Sequence, residues 1–312
     1  MRYQIYVQKI SVKQMDRHKI ESANKQIRFV TNLSIACNIV LSVLKTGVGI
    51  FAGSMALVND GIHSLSDMGT DIAVLLGVYF GSKQADEGHP YGHGRIETFA
   101  AGIIGIILAA VGGVMIYRAA VDIAAGKCYE PGFSVLIVAI VSVVGKELLY
   151  RLTRKVAIKS HSSVLYANAW HHRSDALSSV VVIAGFVSIQ FGFMYGDQIA
   201  AIGVGLMVAL VGIRIIGDCL RELTEAAVDA KTIEQIKHII NTNSSIHQWH
   251  KLRTRMVGRE IFLDIHILVE PALNISDAHE IAESLENALN EQITRPVNIT
   301  VHIEPDTPEL RK

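Results

Sequence analysis

Phe99-Ala-Ala-Gly-Ile-Ile-Gly-Ile-Ile-Leu-Ala-Ala-Val111 carries no charged side chain and lies inside an apolar run of about 98–124. A run of roughly 20 apolar residues is long enough to cross a bilayer as a helix, so this stretch predicts a membrane span. Working outward from it, five more runs have similar length, at about 29–52, 55–81, 132–156, 164–193 and 197–217. The whole chain of 312 residues is 50% apolar, with a mean hydropathy of +0.34. The formal net charge is zero, which gives no pointer to nucleic acid as a partner. Three widely spaced cysteines, Cys37, Cys128 and Cys219, form no Cys-x-x-Cys pair and argue against a disulfide framework or a cysteine zinc knuckle. Residues 1–28 are polar and basic, where a cleavable signal would be apolar.

Basic residues orient the spans. Arg2, Lys9, Lys13, Arg17, Lys19, Lys25 and Arg28 precede the first run. Lys83 and Arg95 follow the second; Arg151, Arg154, Lys155 and Lys159 follow the fourth; Arg214 and Arg221 mark the exit of the sixth. The alternate loops, 52–54, 125–131 and 194–197, hold a single lysine, Lys127. Positive residues gather on the cytoplasmic side, so six spans with both termini in the cytoplasm satisfy every loop.

Composition changes near Leu220. Residues 221–312 are charged and contain no spanning run. Thr232–Asn241 predicts an amphipathic helix, Leu252–Val257 and Glu260–Val269 predict strands, and the stretch after Ser276 predicts a helix capped by that serine. A last alternating strand runs over Val297–Ile303. This α-β-β-α-β order predicts a small α+β sandwich on the cytoplasmic side. The expected domains are therefore a cytoplasmic N-terminal segment (1–28), a six-helix transmembrane domain (29–220) and a cytoplasmic α+β domain (221–312).

Two spans carry ionisable residues in matching patterns. The second contains Asp60-Gly-Ile-His63-Ser-Leu-Ser-Asp67, with Asp71 one turn further; the fifth contains Asn168-Ala-Trp-His171-His-Arg-Ser-Asp175. Offsets of three and four place such residues on one helix face. An imidazole and a carboxylate from each helix make four N/O donors, the number tetrahedral zinc takes. An ionised Asp at the bilayer centre costs about 2.5–3.5 kcal/mol even on lenient scales, a load that a bound cation offsets. The plainer alternative is a set of interhelical hydrogen bonds or a lining for buried water. His172 is about 100° from its neighbour and reads as a bystander or a support. Lys45, Lys146 and Glu147 also fall in spans; Lys146 and Glu147 are expected to pair with each other or to snorkel.

With these residues in view, the sequence resembles the cation diffusion facilitator family over nearly its whole length. The Asp60–Asp67 segment and Tyr91-Gly-His93-Gly-Arg95-Ile-Glu97 carry the resemblance most specifically. It implies a homodimeric exporter of a divalent metal against protons, multi-pass in a bacterial inner membrane, with a ferredoxin-like or metallochaperone-like cytoplasmic domain. It implies a transport site of His63, Asp67, His171 and Asp175. A histidine on both helices is similar to zinc and cadmium members, whereas manganese members more often show Asp there. It further implies a loop site at Asp86, His89 and His93, and a metal cluster near the dimer interface at His250, His266, His279, His302 and Glu304. Glu304 stands where some members have Asp.

Taken together, the expected function is proton-coupled Zn2+ efflux by alternating access, with zinc or another divalent metal such as Fe2+, Cd2+, Co2+ or Mn2+ as substrate and as regulatory ligand, and with no organic cofactor. His63 and His171 bind metal only as neutral imidazoles. Arg95 and Glu225 are expected to form a hinge pair, and Arg253 and Arg255 to meet acids of the partner subunit. An intramembrane metalloprotease is the enzymatic alternative, but the chain lacks the His-Glu-x-x-His motif, so no enzymatic activity is expected. A receptor or structural protein leaves the doubled His-x-x-x-Asp without a purpose.

Overall fold

The computed structural model describes residues 2–51, 68–126, 133–193 and 195–311. They form two compact units, Met1–Leu220 and Arg221–Lys312. The first unit is helical: α1 (Arg2–Phe51), α2 (Met68–Gly81), α3 (Arg95–Ala124), α4 (Phe133–Ser160), α5 (Ser163–Gln190) and α6 (Gly196–Leu223). Each helix falls on one of the six predicted runs. Among the described residues, Glu21–Val48, Arg95–Ala124 and Ala201–Leu223 are by themselves long and apolar enough to cross a bilayer, and Met68–Gly81 is a shorter apolar helix. The polar start is helical as well, since α1 runs through it into the first apolar run without a break. Outward-facing positions are apolar: Phe29, Val43, Phe51, Ile106, Tyr117, Leu206 and Ile213 are all exposed. Such a surface suits hydrocarbon rather than water.

Two features fix the helix arrangement. At the crossing of α3 and α6, Gly112 lies so close that an added Cβ would meet Gly205 O at 2.5 Å and Ala209 N at 2.6 Å. An added Cβ at Gly212 would meet Ala109 N at 2.5 Å and Gly105 O at 2.7 Å. Backbones touch because small residues face each other on both helices, the usual means of tight packing in a membrane. The second feature is the hairpin between α4 and α5. His161 takes φ 52, Ser162 N bonds back to Ala157 O at 3.1 Å, and Ser162 Oγ accepts from Leu165 N at 3.3 Å as the cap of α5. A turn this short makes α4 and α5 antiparallel neighbours, so residues equally distant from it face each other.

The second unit contains α7 (Ala230–Thr242), β1 (Gln248–Val257), β2 (Glu260–Val269), α8 (Ile275–Gln292) and β3 (Val297–Pro305). The sheet order is β1-β2-β3, with β1 antiparallel and β3 parallel to β2. Ile261, Leu263, Ile265 and Ile267 of β2 pack with Ile236, Ile240, Leu285 and Leu289 of the two helices. The even-numbered side chains of β2 therefore point to the other face. The predicted α-β-β-α-β order holds. The cap of α8 is Asn274 rather than Ser276: its side chain accepts from Asp277 N at 3.0 Å. Asp229 caps α7 in the same way, and its hydrogen bonds with Thr232 hold its carboxyl below the usual value.

Candidate metal sites

The deepest polar group lies among α1, α2 and α5. Asp71 is fully buried and accepts from Ser34 Oγ at 2.9 Å, Asn38 Nδ2 at 3.0 Å and Asn168 Nδ2 at 2.8 Å. His172 Nε2 sits 3.0 Å from Ser34 Oγ and 3.2 Å from Asn168 Nδ2, with Asp71 Oδ1 at 3.6 Å. His172 is thus no bystander; it closes a network that ties three helices together. The signal for it was present in Ser34 and Asn38, a polar pair at i and i+4 within the first apolar run.

The α5 half of the predicted transport site stands beside this network. His171 is buried, and its Nε2 lies 3.9 Å from Asp175 Oδ2. That separation is long for a hydrogen bond, yet close to the roughly 3.4 Å between two ligands of a tetrahedral ion with bonds near 2.0–2.1 Å. His63 and Asp67, the α2 half, lie outside the described residues. The expected Lys146–Glu147 pair is not formed. Lys146 Nζ bonds instead to Asp175 Oδ2 at 2.8 Å, and Glu147 Oε1 accepts from Arg151 Nε at 2.8 Å. The α4–α5 hairpin explains the exchange, since Lys146 and Asp175 are nearly equidistant from its turn. Arg173 is placed by the same geometry: it bonds to Tyr150 Oη at 2.8 Å and stacks over the Tyr150 and Trp170 rings.

The loop between α2 and α3 brings Asp86, His89 and His93 together. His89 N donates to Asp86 Oδ1 at 2.7 Å, His93 Nε2 is 3.6 Å from Asp86 Oδ2, and the two ring centroids lie 4.1 Å apart with their planes tilted by 41°. Gly92, at φ 79, permits the turn that a Cβ would resist. The backbone bond from His89 is the main reason the Asp86 carboxyl is held below its usual value. Just beyond, Glu97 is buried and accepts from Ser162 Oγ.

In the second unit the sheet register builds the cluster. His250 is the direct partner of His266, and His266 of His302, so three imidazoles form one row across three strands. Glu304, two residues further on β3, reaches back along the same face. Its carboxylate lies 2.8 Å from His266 Nδ1, 2.9 Å from His250 Nε2 and 3.5 Å from His302 Nε2. The bond from His266 is the largest cause of its lowered pKa. The row depends on a β-bulge between His250 and Arg253, where Lys251 takes φ 52. Within one chain His279 does not join the row: it is exposed on α8, 3.3 Å from Glu283. Helix position explains this, since i+4 brings Glu283 beneath it. Arg255 finds its acid in its own chain, Glu225 at 3.5 Å, and lies 5.5 Å from the Phe262 ring. Arg95 opens α3 in the first unit.

Comparison with known proteins gives two family matches. Residues 32–224 match the family described as "Cation efflux transmembrane domain", and residues 228–306 match "Cation efflux protein, cytoplasmic domain". The chain is 33% identical over 268 residues to "Magnetosome protein MamB" of Magnetospira sp. (strain QH-2), covering 86% of this chain and 92% of that one. It is 38% identical over 273 residues to an uncharacterized transporter of Methanocaldococcus jannaschii, covering 87% and 96%. It is also 30% identical over 292 residues to "Manganese efflux system protein MneP" of Bacillus subtilis (strain 168), covering 91% and 98%.

Proposed function

This chain belongs to the cation diffusion facilitator family, multi-pass membrane transporters that export divalent metals, and on that premise we propose that it carries Zn2+ out of the cytoplasm in exchange for protons. The transport site is His63, Asp67, His171 and Asp175. The observation that carries this reading is the α5 pair, a buried imidazole and a carboxylate 3.9 Å apart within the helical unit. The α2 pair has the same sequence pattern and supplies the other two donors. Two imidazoles and two carboxylates suit borderline-soft zinc better than manganese, which prefers oxygen donors. MneP is named for manganese, so manganese is the competing substrate. Membership of a transporter family leaves no place for the protease alternative.

The imidazoles bind metal only when neutral, and protons arriving from outside release it. Alternating access follows from movement of the two ligand-bearing helices against the rest of the bundle. The loop group of Asp86, His89 and His93 gathers ions at the cytoplasmic entrance. The row of His250, His266, His302 and Glu304 binds regulatory metal, and His279, which stands outside the row within one chain, joins it only on formation of the homodimer. Any coupling must arise from unequal metal affinity in the two transport states.

Reconstitution in liposomes with a panel of zinc, cadmium, cobalt, iron and manganese tests the reading. Zinc is expected to move fastest, with protons moving the opposite way. Asp175→Ala is expected to lower transport by about a hundredfold or more, and His63→Asp to shift preference toward manganese. Wild-type flux in Asp175→Ala would refute the site.

A further inference from the structure

A cation of the protein itself occupies one edge of the proposed transport site. The Lys146 ammonium lies 2.8 Å from Asp175 Oδ2, and its side chain is only 1% exposed. The same carboxylate oxygen lies 3.9 Å from His171 Nε2. The oxygen through which Asp175 and His171 would share an ion is therefore held by an ammonium. A metal bonded to it at about 2.0–2.2 Å would stand within about 5 Å of Nζ. Two cations that close, in a site largely closed to water, repel strongly. A fully buried lysine is also costly to keep unless its charge has a use or a partner. Here the partner is the proposed substrate ligand. The hairpin turn at His161–Ser162 holds α4 and α5 in the register that creates this contact.

We propose that Lys146 is the internal counter-cation of the transport site: it holds Asp175 while no metal is bound, yields the carboxylate when metal enters, and returns to help expel the ion. The inference rests on the reading of Asp175 as a transport ligand. On this view Lys146 is a positioning residue that keeps metal affinity moderate. It also spares the unloaded carrier an uncompensated carboxylate at membrane depth, which would slow its return.

The test compares wild type, Lys146→Gln, Lys146→Arg and Asp175→Ala, each as full-length protein in zinc-loaded liposome assays. Removing the competing charge in Lys146→Gln is expected to lower the KM for zinc by about tenfold and to lower the maximal rate as release slows. Lys146→Arg, which keeps a cation, is expected to move both values back toward wild type. A merely structural lysine would change yield or stability and leave KM alone, so a Lys146→Gln protein whose KM does not fall overturns the proposal. Should that variant fail to fold, wild-type protein is labelled with acetic anhydride with and without zinc. Acetylation of Lys146 is expected to rise with zinc; equal labelling overturns the proposal. If Asp175→Ala transports normally, the transport-site reading fails. If it is inactive while Lys146→Gln matches wild type, only the role of Lys146 fails.

Discussion

Asp71 has no solvent contact, yet Ser34, Asn38 and Asn168 all donate to it. Removing an acceptor from such a network strands its donors, at about 1–3 kcal/mol for each buried group left unsatisfied. Asp71→Leu is therefore expected to lower the thermal unfolding midpoint in detergent by several degrees, while Asp71→Asn, which keeps an acceptor, costs less. An unchanged midpoint in Asp71→Leu would show that the network is not structural. At the far end of the chain, Asp306 accepts a paired bond from Arg311, at 2.6 and 2.7 Å, and lies 2.9 Å from His247 Nδ1. The Arg311 bonds, then His247, bring its carboxyl from the usual 3.8 down to about 2. Because the folded value is the lower one, the tie is at full strength above the ordinary value and is lost as pH falls through about 2. An NMR titration of the Asp306 carboxyl is expected to place its midpoint near that lower value, and Arg311→Ala to move it upward. The His-x-x-x-Asp repeat was plain in the sequence because spacing alone carries it. Lys146 was not, because Glu147 beside it offered an equally good partner on paper.

At the scale of elements, the α3–α6 crossing is the least tolerant contact. Gly112 and Gly212 each face backbone atoms closer than a Cβ permits. Gly112→Leu is expected to destabilise the bundle by about 1–3 kcal/mol or more, whereas Gly113→Ala, with nothing within 4 Å, is expected to be neutral. Size-exclusion profiles after heating separate the two outcomes. In the second unit, Asn274→Ala removes the cap of α8 and is expected to cost about 1 kcal/mol, seen as a lower denaturant midpoint. Helix and strand identities were legible here because periods of 3.6 and 2 differ clearly in α8 and β2. The cap was not: Ser276 and Asn274 are both good capping residues, and only the backbone bend, extended at Asn274 (φ −75, ψ 162), chooses between them. The bulge at Lys251 was equally hidden, since a lysine carries no turn signal. It nevertheless sets the register that aligns His250 with His266.

For the molecule as a whole, the helical unit and the unit built on the three-stranded sheet answer to different solvents. One keeps apolar side chains on its outside; the other buries them between helices and sheet. If the His250–His266–His302–Glu304 row is regulatory, zinc is expected to compact the full-length dimer in small-angle scattering. The double variant His266→Ala/His302→Ala is expected to lose that response while retaining basal transport. Compaction that survives the double change would remove the row from regulation. The sequence by itself determined where the long apolar runs lie, the change of character near Leu220 and the spacing of the His and Asp motifs, because hydropathy, charge and helical period are local properties of a chain. Only the tertiary structure decided that Lys146 takes Asp175, that His172 joins Asp71, and that three histidines from three strands stand in one row. Those choices depend on which helices and strands become neighbours, and that is settled by turns, glycine contacts and register acting across long separations in sequence.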